Sequence, residues 1–108
     1  MTRGDGMVKQ LEDNREAIVG LCTRYGVARL DVFGSALRGD FRAGQSDLDL
    51  WIEFIPMSPY ERADSYFGFL DDLRSLVGME VDLVVSGAIK NRFVSEEIER
   101  SKQVFYAA

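Results

Sequence analysis

The chain has 108 residues, 46% of them hydrophobic, enough for one globular domain with one core and too short for a second module. Its net charge of −5 argues against a template-directed polymerase or a DNA-gripping module: polynucleotide binders carry a basic face, and only the short groupings Arg38/Arg42 and Lys90/Arg92 are basic. Histidine is absent and cysteine occurs once, which excludes zinc sites, His-dependent triads, histidine general bases and an intrachain disulfide. No apolar run reaches membrane-spanning length and no signal-peptide pattern is present, so a cytoplasmic protein with no membrane partner is expected.

Residues 1–6 carry two glycines and read as a frayed, disordered start. Val8, Leu11, Arg15, Ile18, Cys22 and Tyr25 then recur at three- and four-residue steps, which predicts one amphipathic helix ended by Gly26. Cys22 lies on the apolar side of that helix and reads as core, not as a nucleophile. Val27–Phe33 follows as a strand with Ala28, Leu30 and Val32 on one face and Arg29 and Asp31 on the other. Gly34-Ser35 makes a tight turn, Ala36-Leu37-Arg38 one short helical turn, and a loop runs through Gly44. From Asp47 to Phe54 the chain alternates without a break. Leu48, Leu50, Ile52 and Phe54 fall on one face, Asp47, Asp49, Trp51 and Glu53 on the other. The short connection predicts that these two strands pair antiparallel.

Ser58-Pro59-Tyr60-Glu61 predicts a helix start, with Ser58 as cap, Pro59 in the first position and Glu61 closing a capping box. Tyr60, Ala63, Phe67, Leu70, Leu73 and Val77 are expected to form its buried stripe, with Asp71 and Asp72 on the solvated side. Gly78 ends it. A strand with Val81, Leu83 and Val85 on its apolar face and Asp82 on the opposite one follows, parallel to the Asp47 strand because a helical crossover joins them. A last helix within residues 88–102 leads to a short edge strand at Val104-Phe105-Tyr106. The expected fold is α/β (α+β): a small mixed sheet of three to four strands with about four helices, in one domain spanning residues 1–108.

Chemistry concentrates at the acidic pattern. A strand with the Asp47–Phe54 alternation buries its leucine face and sets Asp47 and Asp49 side by side on the other. Two adjacent carboxylates repel each other unless a cation sits between them. Mg²⁺ suits that position, because it takes hard oxygen ligands and binds through one or two carboxylates plus substrate phosphates. Asp82 supplies a third carboxylate from a later strand. Ahead of them, Gly34 lets the backbone approach a ligand closely, Ser35 offers a hydroxyl and an N–H to phosphate oxygens, and the guanidinium of Arg38 matches a phosphate.

The stretch F-G-S-A-L-R-G-D-F-R-A-G-Q-S-D-L-D-L-W-I-E-F resembles the signature of minimal nucleotidyltransferase (MNT) domains of the DNA polymerase β-like superfamily. Gly-Ser is followed by a spaced Asp-x-Asp, with Asp47 twelve positions after Ser35. Asp82 matches the third acidic position and V-F-Y the closing segment, so the resemblance covers residues 8–106 with no departure at the signature residues. It implies a polymerase β-like nucleotidyltransferase fold and transfer of AMP from ATP to a hydroxyl with release of pyrophosphate. Asp47, Asp49 and Asp82 would be the catalytic and metal-holding residues for two Mg²⁺ ions, with Asp82 taking the acceptor's proton. Gly34, Ser35 and Arg38 would bind the nucleotide.

Larger members add domains that hold the acceptor, and this chain has no room for one. Stand-alone MNT domains resemble the antitoxins of HEPN–MNT toxin–antitoxin pairs, which adenylylate their HEPN partner. The leading expectation is thus AMP transfer to a hydroxyl, a tyrosine for preference, of a HEPN toxin. Transfer to a small hydroxylated molecule such as an aminoglycoside, and a non-catalytic antitoxin acting by binding alone, stand as alternatives. Either a homo- or a hetero-oligomer is compatible with the pattern.

Overall fold

The computed structural model describes residues 9–34, 47–87 and 91–108. In chain order it contains helices α1 (Lys9–Asp13) and α2 (Arg15–Tyr25), strands β1 (Val27–Phe33) and β2 (Leu48–Phe54), helix α3 (Pro59–Val77), strand β3 (Val81–Val85), helix α4 (Arg92–Ser101) and strand β4 (Gln103–Ala107). The strands form one sheet in the order β3-β2-β1-β4. β1 pairs antiparallel with both β2 and β4, and β2 pairs parallel with β3. The expected α/β fold with a small mixed sheet and an edge strand at the end of the chain is therefore observed. Among the described residues no helix is long and apolar enough to cross a membrane.

The strand alternation builds the core. Leu30, Val32, Leu48, Leu50 and Ile52 are all fully buried and face Leu11, Ile18, Cys22, Phe69 and Leu73 from α1, α2 and α3. Cys22 is fully buried in this cluster, as expected of a core residue, and that burial pushes its thiol up to about 12. Arg15 ties α2 to the edge strand: its guanidinium lies 4.2 Å from the Phe105 ring centroid and donates to the Phe105 carbonyl at 3.1 Å.

The first helix is not continuous. Asn14 interrupts it, and the reason is local. Its side-chain amide donates to the Gln10 carbonyl at 2.7 Å, the acceptor that its own backbone N–H would use in an unbroken helix, while that N–H turns to Leu11 O instead. The α3 start matches expectation: Ser58 Oγ accepts from the Glu61 N–H, and Glu61 Oε1 accepts from the Ser58 N–H at 2.9 Å. Its stripe does not. Phe69, Leu70, Leu73 and Val77 are buried, whereas Tyr60 and Phe67 are 87% and 64% exposed and Ala63 is exposed too. At about 100° per residue, Tyr60 and Phe67 lie roughly a third of a turn away from the face centred on Tyr66, Leu70 and Leu73. A stripe stepped by threes and fours drifts around a straight helix, and packing fixes the phase from the C-terminal half.

Crossover handedness decides what covers each face of the sheet. With the right-handed crossover that parallel connections adopt, the β2–α3–β3 connection lays α3 over the leucine face, where Phe69, Leu70 and Leu73 pack. The β3–α4–β4 connection travels back across the sheet in the opposite direction, so the same handedness lays α4 over the aspartate face. Ile98 of α4 is buried outside the leucine-face cluster, as this placement requires.

That second face contains a buried charge. Asp31 is fully buried and accepts from Arg29 Nε at 3.0 Å, while Lys102 Nζ lies 2.9 Å from its carboxylate. Lys102 has a side chain only 6% exposed and holds its ammonium 4.8 Å from the Trp51 ring centroid. Removing one member of a buried pair costs about 3–5 kcal/mol where the other is left uncompensated, and without Asp31 the Lys102 ammonium keeps only the exposed Glu99 carboxylate, at 3.2 Å. Asp31→Ala should therefore destabilise the protein by about 3 kcal/mol in urea titration, and Asp31→Ala combined with Lys102→Met should recover part of that loss. Additive effects of the two substitutions would contradict the coupling.

Candidate active site

Three strand ends meet where the carboxylates lie. Phe33, the last residue of β1, pairs with Asp49 of β2, and Asp49 pairs in turn with Asp82 of β3. Neighbouring strands are about 4.8 Å apart, so the paired Asp49 and Asp82 leave one face of the sheet side by side. The leucine core on the opposite face holds this register, with Leu48 and Leu50 fully buried and Val81 and Leu83 nearly so. The Leu48 N–H also donates to Glu80 O at 3.0 Å, which joins the starts of β2 and β3. Asp47 stands just before β2 and is exposed; Asp82 is exposed and Asp49 half-buried.

Gly34 completes the described part of the site. Its φ of 77° is a left-handed conformation. A Cβ built on it would collide with Asp49 Oδ2 and lie 3.1 Å from Asp49 Cγ. Glycine is required here twice over, by backbone conformation and by the carboxylate pressed against it. Two other residues expected at the site, Ser35 and Arg38, lie outside the described residues.

The donor set suits a hard divalent cation. Mg²⁺ binds through one or two carboxylates and completes its shell with water and substrate phosphates, and the Asp49/Asp82 pair offers that arrangement. Among the described residues no group of three or more acidic, cysteine or histidine side chains closes on a point that could hold a metal ion. A registered pair with Asp47 at its flank is thus what the strands present, rather than a closed three-carboxylate cage.

Beneath the pair lies a support that the sequence pattern did not single out. Trp51 follows Asp49 on the same face of β2 and pairs with Asp31 of β1. It is 2% exposed, and its indole N–H has no hydrogen-bond partner among the described residues. An unsatisfied buried N–H costs about 1–3 kcal/mol, so Trp51 is held by packing and by the Lys102 ammonium rather than by hydrogen bonding. The pattern did place Asp31 and Trp51 on one face. Only the return of the chain at Lys102 buries them.

The nucleotidyltransferase domain family matches residues 15–105. A candidate protein adenylyltransferase of Methanocaldococcus jannaschii is 37% identical over 76 residues, covering 70% of this chain and 74% of the relative. A solved structure described as a minimal nucleotidyltransferase superposes with a TM-score of 0.74 at 32% identity, covering 90% of this chain and 94% of its own. The MNT antitoxin complex with a tri-AMPylated HEPN toxin from Shewanella oneidensis shares the fold, with a TM-score of 0.59 at 16% identity over 90% of this chain and 72% of that one.

Gly34→Ala tests the close approach. A non-glycine residue at positive φ costs about 1–2 kcal/mol, so the ligand-free melting point should fall by a few degrees with the circular dichroism spectrum retained. The rise in melting point on adding Mg-ATP should be largely lost, because the displaced Asp49 carboxylate weakens binding and ligand stabilisation follows affinity. A full ligand-induced rise in a folded Gly34→Ala protein would detach Gly34 from the site.

Proposed function

The chain belongs to the nucleotidyltransferase domain family and is a nucleotidyltransferase, and from that premise we propose that it transfers AMP from ATP to a hydroxyl of a HEPN-type toxin, acting as the antitoxin. The observation that carries the proposal is the in-register Asp49/Asp82 pair with the Gly34 backbone against Asp49. The protein adenylyltransferase name of the archaeal relative and the AMPylated toxin held by the Shewanella antitoxin support the choice of acceptor. A protein acceptor also fits a net charge of −5, since an acidic surface does not favour a polynucleotide. A reaction that consumes ATP would take place in the cytoplasm.

In the proposed reaction the acceptor hydroxyl, a tyrosine for preference, attacks the α-phosphorus of ATP. A bond forms from the acceptor oxygen to that phosphorus, the bond to the β-phosphate oxygen breaks, and pyrophosphate leaves. Asp47, Asp49 and Asp82 would hold the Mg²⁺ ions, which when bound neutralise phosphate charge and make the acceptor hydroxyl more acidic. Asp49, whose carboxylate lies against the Gly34 backbone, would orient the nucleotide. Asp82, exposed beside Asp49, would take the hydroxyl proton. Gly34 and Ser35 anchor the β- and γ-phosphates, and Arg38 offsets charge developing on the phosphoryl group.

Asp82→Asn separates these roles. With labelled ATP, Mg²⁺ and a HEPN-domain partner, the parent should label the partner on tyrosine and silence its ribonuclease activity. Asp82→Asn should lose at least about a hundredfold in transfer rate, in the range of general-base and metal-ligand removal, with ATP affinity changed far less. Transfer at the parent rate would reject the assignment of Asp82. Silencing by unmodified complex alone would favour an antitoxin that acts by binding.

A further inference from the structure

The first half of α3 keeps its aromatic residues in water. Tyr60 is 87% and Phe67 64% exposed, and beside them a groove of about 350 Å³ is lined by Pro59, Arg62, Ala63, Tyr66, Phe67 and Val85. A second hollow of about 300 Å³ shares Arg62 and Val85 with the first and is bounded by Ile55, itself 46% exposed. Exposed large apolar side chains gathered around one groove mark an interaction surface more often than chance scatter.

Charge on this line restricts its occupant. Tyr60, Asp64, Phe67 and Asp71 follow one another at steps of four, three and four, so aromatic rings and carboxylates alternate along one outward line of the helix. Asp64 and Asp71 are both exposed, and neither forms an ion pair with a described residue. A second copy docked here by a two-fold axis would bring these unpaired acids against acids, in a chain whose net charge is already −5. Among the described residues, Arg62 is the one charged residue lining the groove and lies on the side of the helix away from Asp64 and Asp71, so the fitting occupant is an amphipathic helix whose basic edge faces the two acids and not Arg62. Its apolar side fills the groove, its lysines or arginines reach Asp64 and Asp71, and its cations can lie over the Tyr60 and Phe67 rings.

We propose that the Tyr60–Asp71 line of α3 is a holding surface for a basic amphipathic helix on the protein that the carboxylate site modifies. The identity of that protein as the acceptor rests on the function proposed above. The surface is separate from the chemistry. α3 begins beyond the C-terminal end of β2, whereas Asp49 stands near its N-terminal end, and a strand of seven residues spans about 23 Å. Docking there raises the local concentration of the acceptor without touching the reacting atoms.

The test uses the full chain and two synthetic 18-residue amphipathic helices, one with leucine and arginine faces and one with leucine and glutamate faces. The leucine/arginine peptide should bind the parent, and the leucine/glutamate peptide should not. Phe67→Glu, and separately Asp64→Lys with Asp71→Lys, should each weaken binding at least tenfold, while circular dichroism stays unchanged because all three side chains are exposed. Equal peptide binding by parent and variants overturns the proposal. So does self-association of the parent that Phe67→Glu abolishes, since a second copy would then be the occupant. With the HEPN-domain acceptor, Phe67→Glu should raise KM for the acceptor and leave kcat unchanged, and an unchanged KM counts against the surface. A parent that labels no HEPN-domain protein sinks the adenylylation reading alone, because the peptide measurement decides the surface independently.

Discussion

The register of β2 against its two neighbours is the constraint on which the site depends. Side chains alternate along a strand, so a slip of one residue would turn Asp49 toward the leucine core and leave Asp82 facing an apolar partner. Burial enforces the register from one side. Leu48, Leu50 and Ile52 have no exposed surface, and the free energy of keeping several such side chains out of water far exceeds the repulsion between two half-solvated carboxylates. The antiparallel pairing of β1 then delivers Phe33 opposite Asp49, which brings the Gly34 backbone against that carboxylate.

The aspartate face is stabilised by a different device. α4 crosses it, and the ion cluster of Arg29, Asp31 and Lys102 secures the end of that crossing beside Trp51. A buried carboxylate with two cationic partners is costly to form and more costly to break, so it specifies one position for the junction between α4 and β4. The consequence reaches β2. Trp51, two residues after Asp49, is fixed between the Lys102 ammonium and the sheet, although its N–H gains no partner among the described residues. Rigid support under a metal-type carboxylate pair is what orienting a nucleotide requires.

Much of this was legible in the sequence because it is written in local terms. Two-residue alternation located β1, β2 and β3 and put Asp49 and Asp82 on the polar side, and Ser58, Pro59 and Glu61 marked the start of α3. The misreadings share another origin, since each is decided by a partner outside the local pattern. Asn14 breaks the first helix because its side chain outcompetes its own backbone for Gln10. The burial of Asp31 is not legible in the sequence at all, because Lys102, far along the chain, makes it. Tyr60 and Phe67 fit a buried stripe at three- and four-residue spacing, yet the phase of α3 is set by Phe69, Leu70, Leu73 and Val77. Apolar spacing identifies a helix; the packing partner chooses which line of it goes inside.

The central claim is that the Asp49/Asp82 pair is where metal and nucleotide meet. It is tested most directly by adding Mn²⁺ with a non-hydrolysable ATP analogue to ¹⁵N-labelled protein and following the amide signals. Paramagnetic broadening should appear first at Gly34, Asp49 and Asp82, and the double substitution Asp49→Asn with Asp82→Asn should abolish it. Broadening centred instead on the cleft of Glu53, Arg62 and Ser86 at the far end of the strands, or surviving that double substitution, would contradict the account.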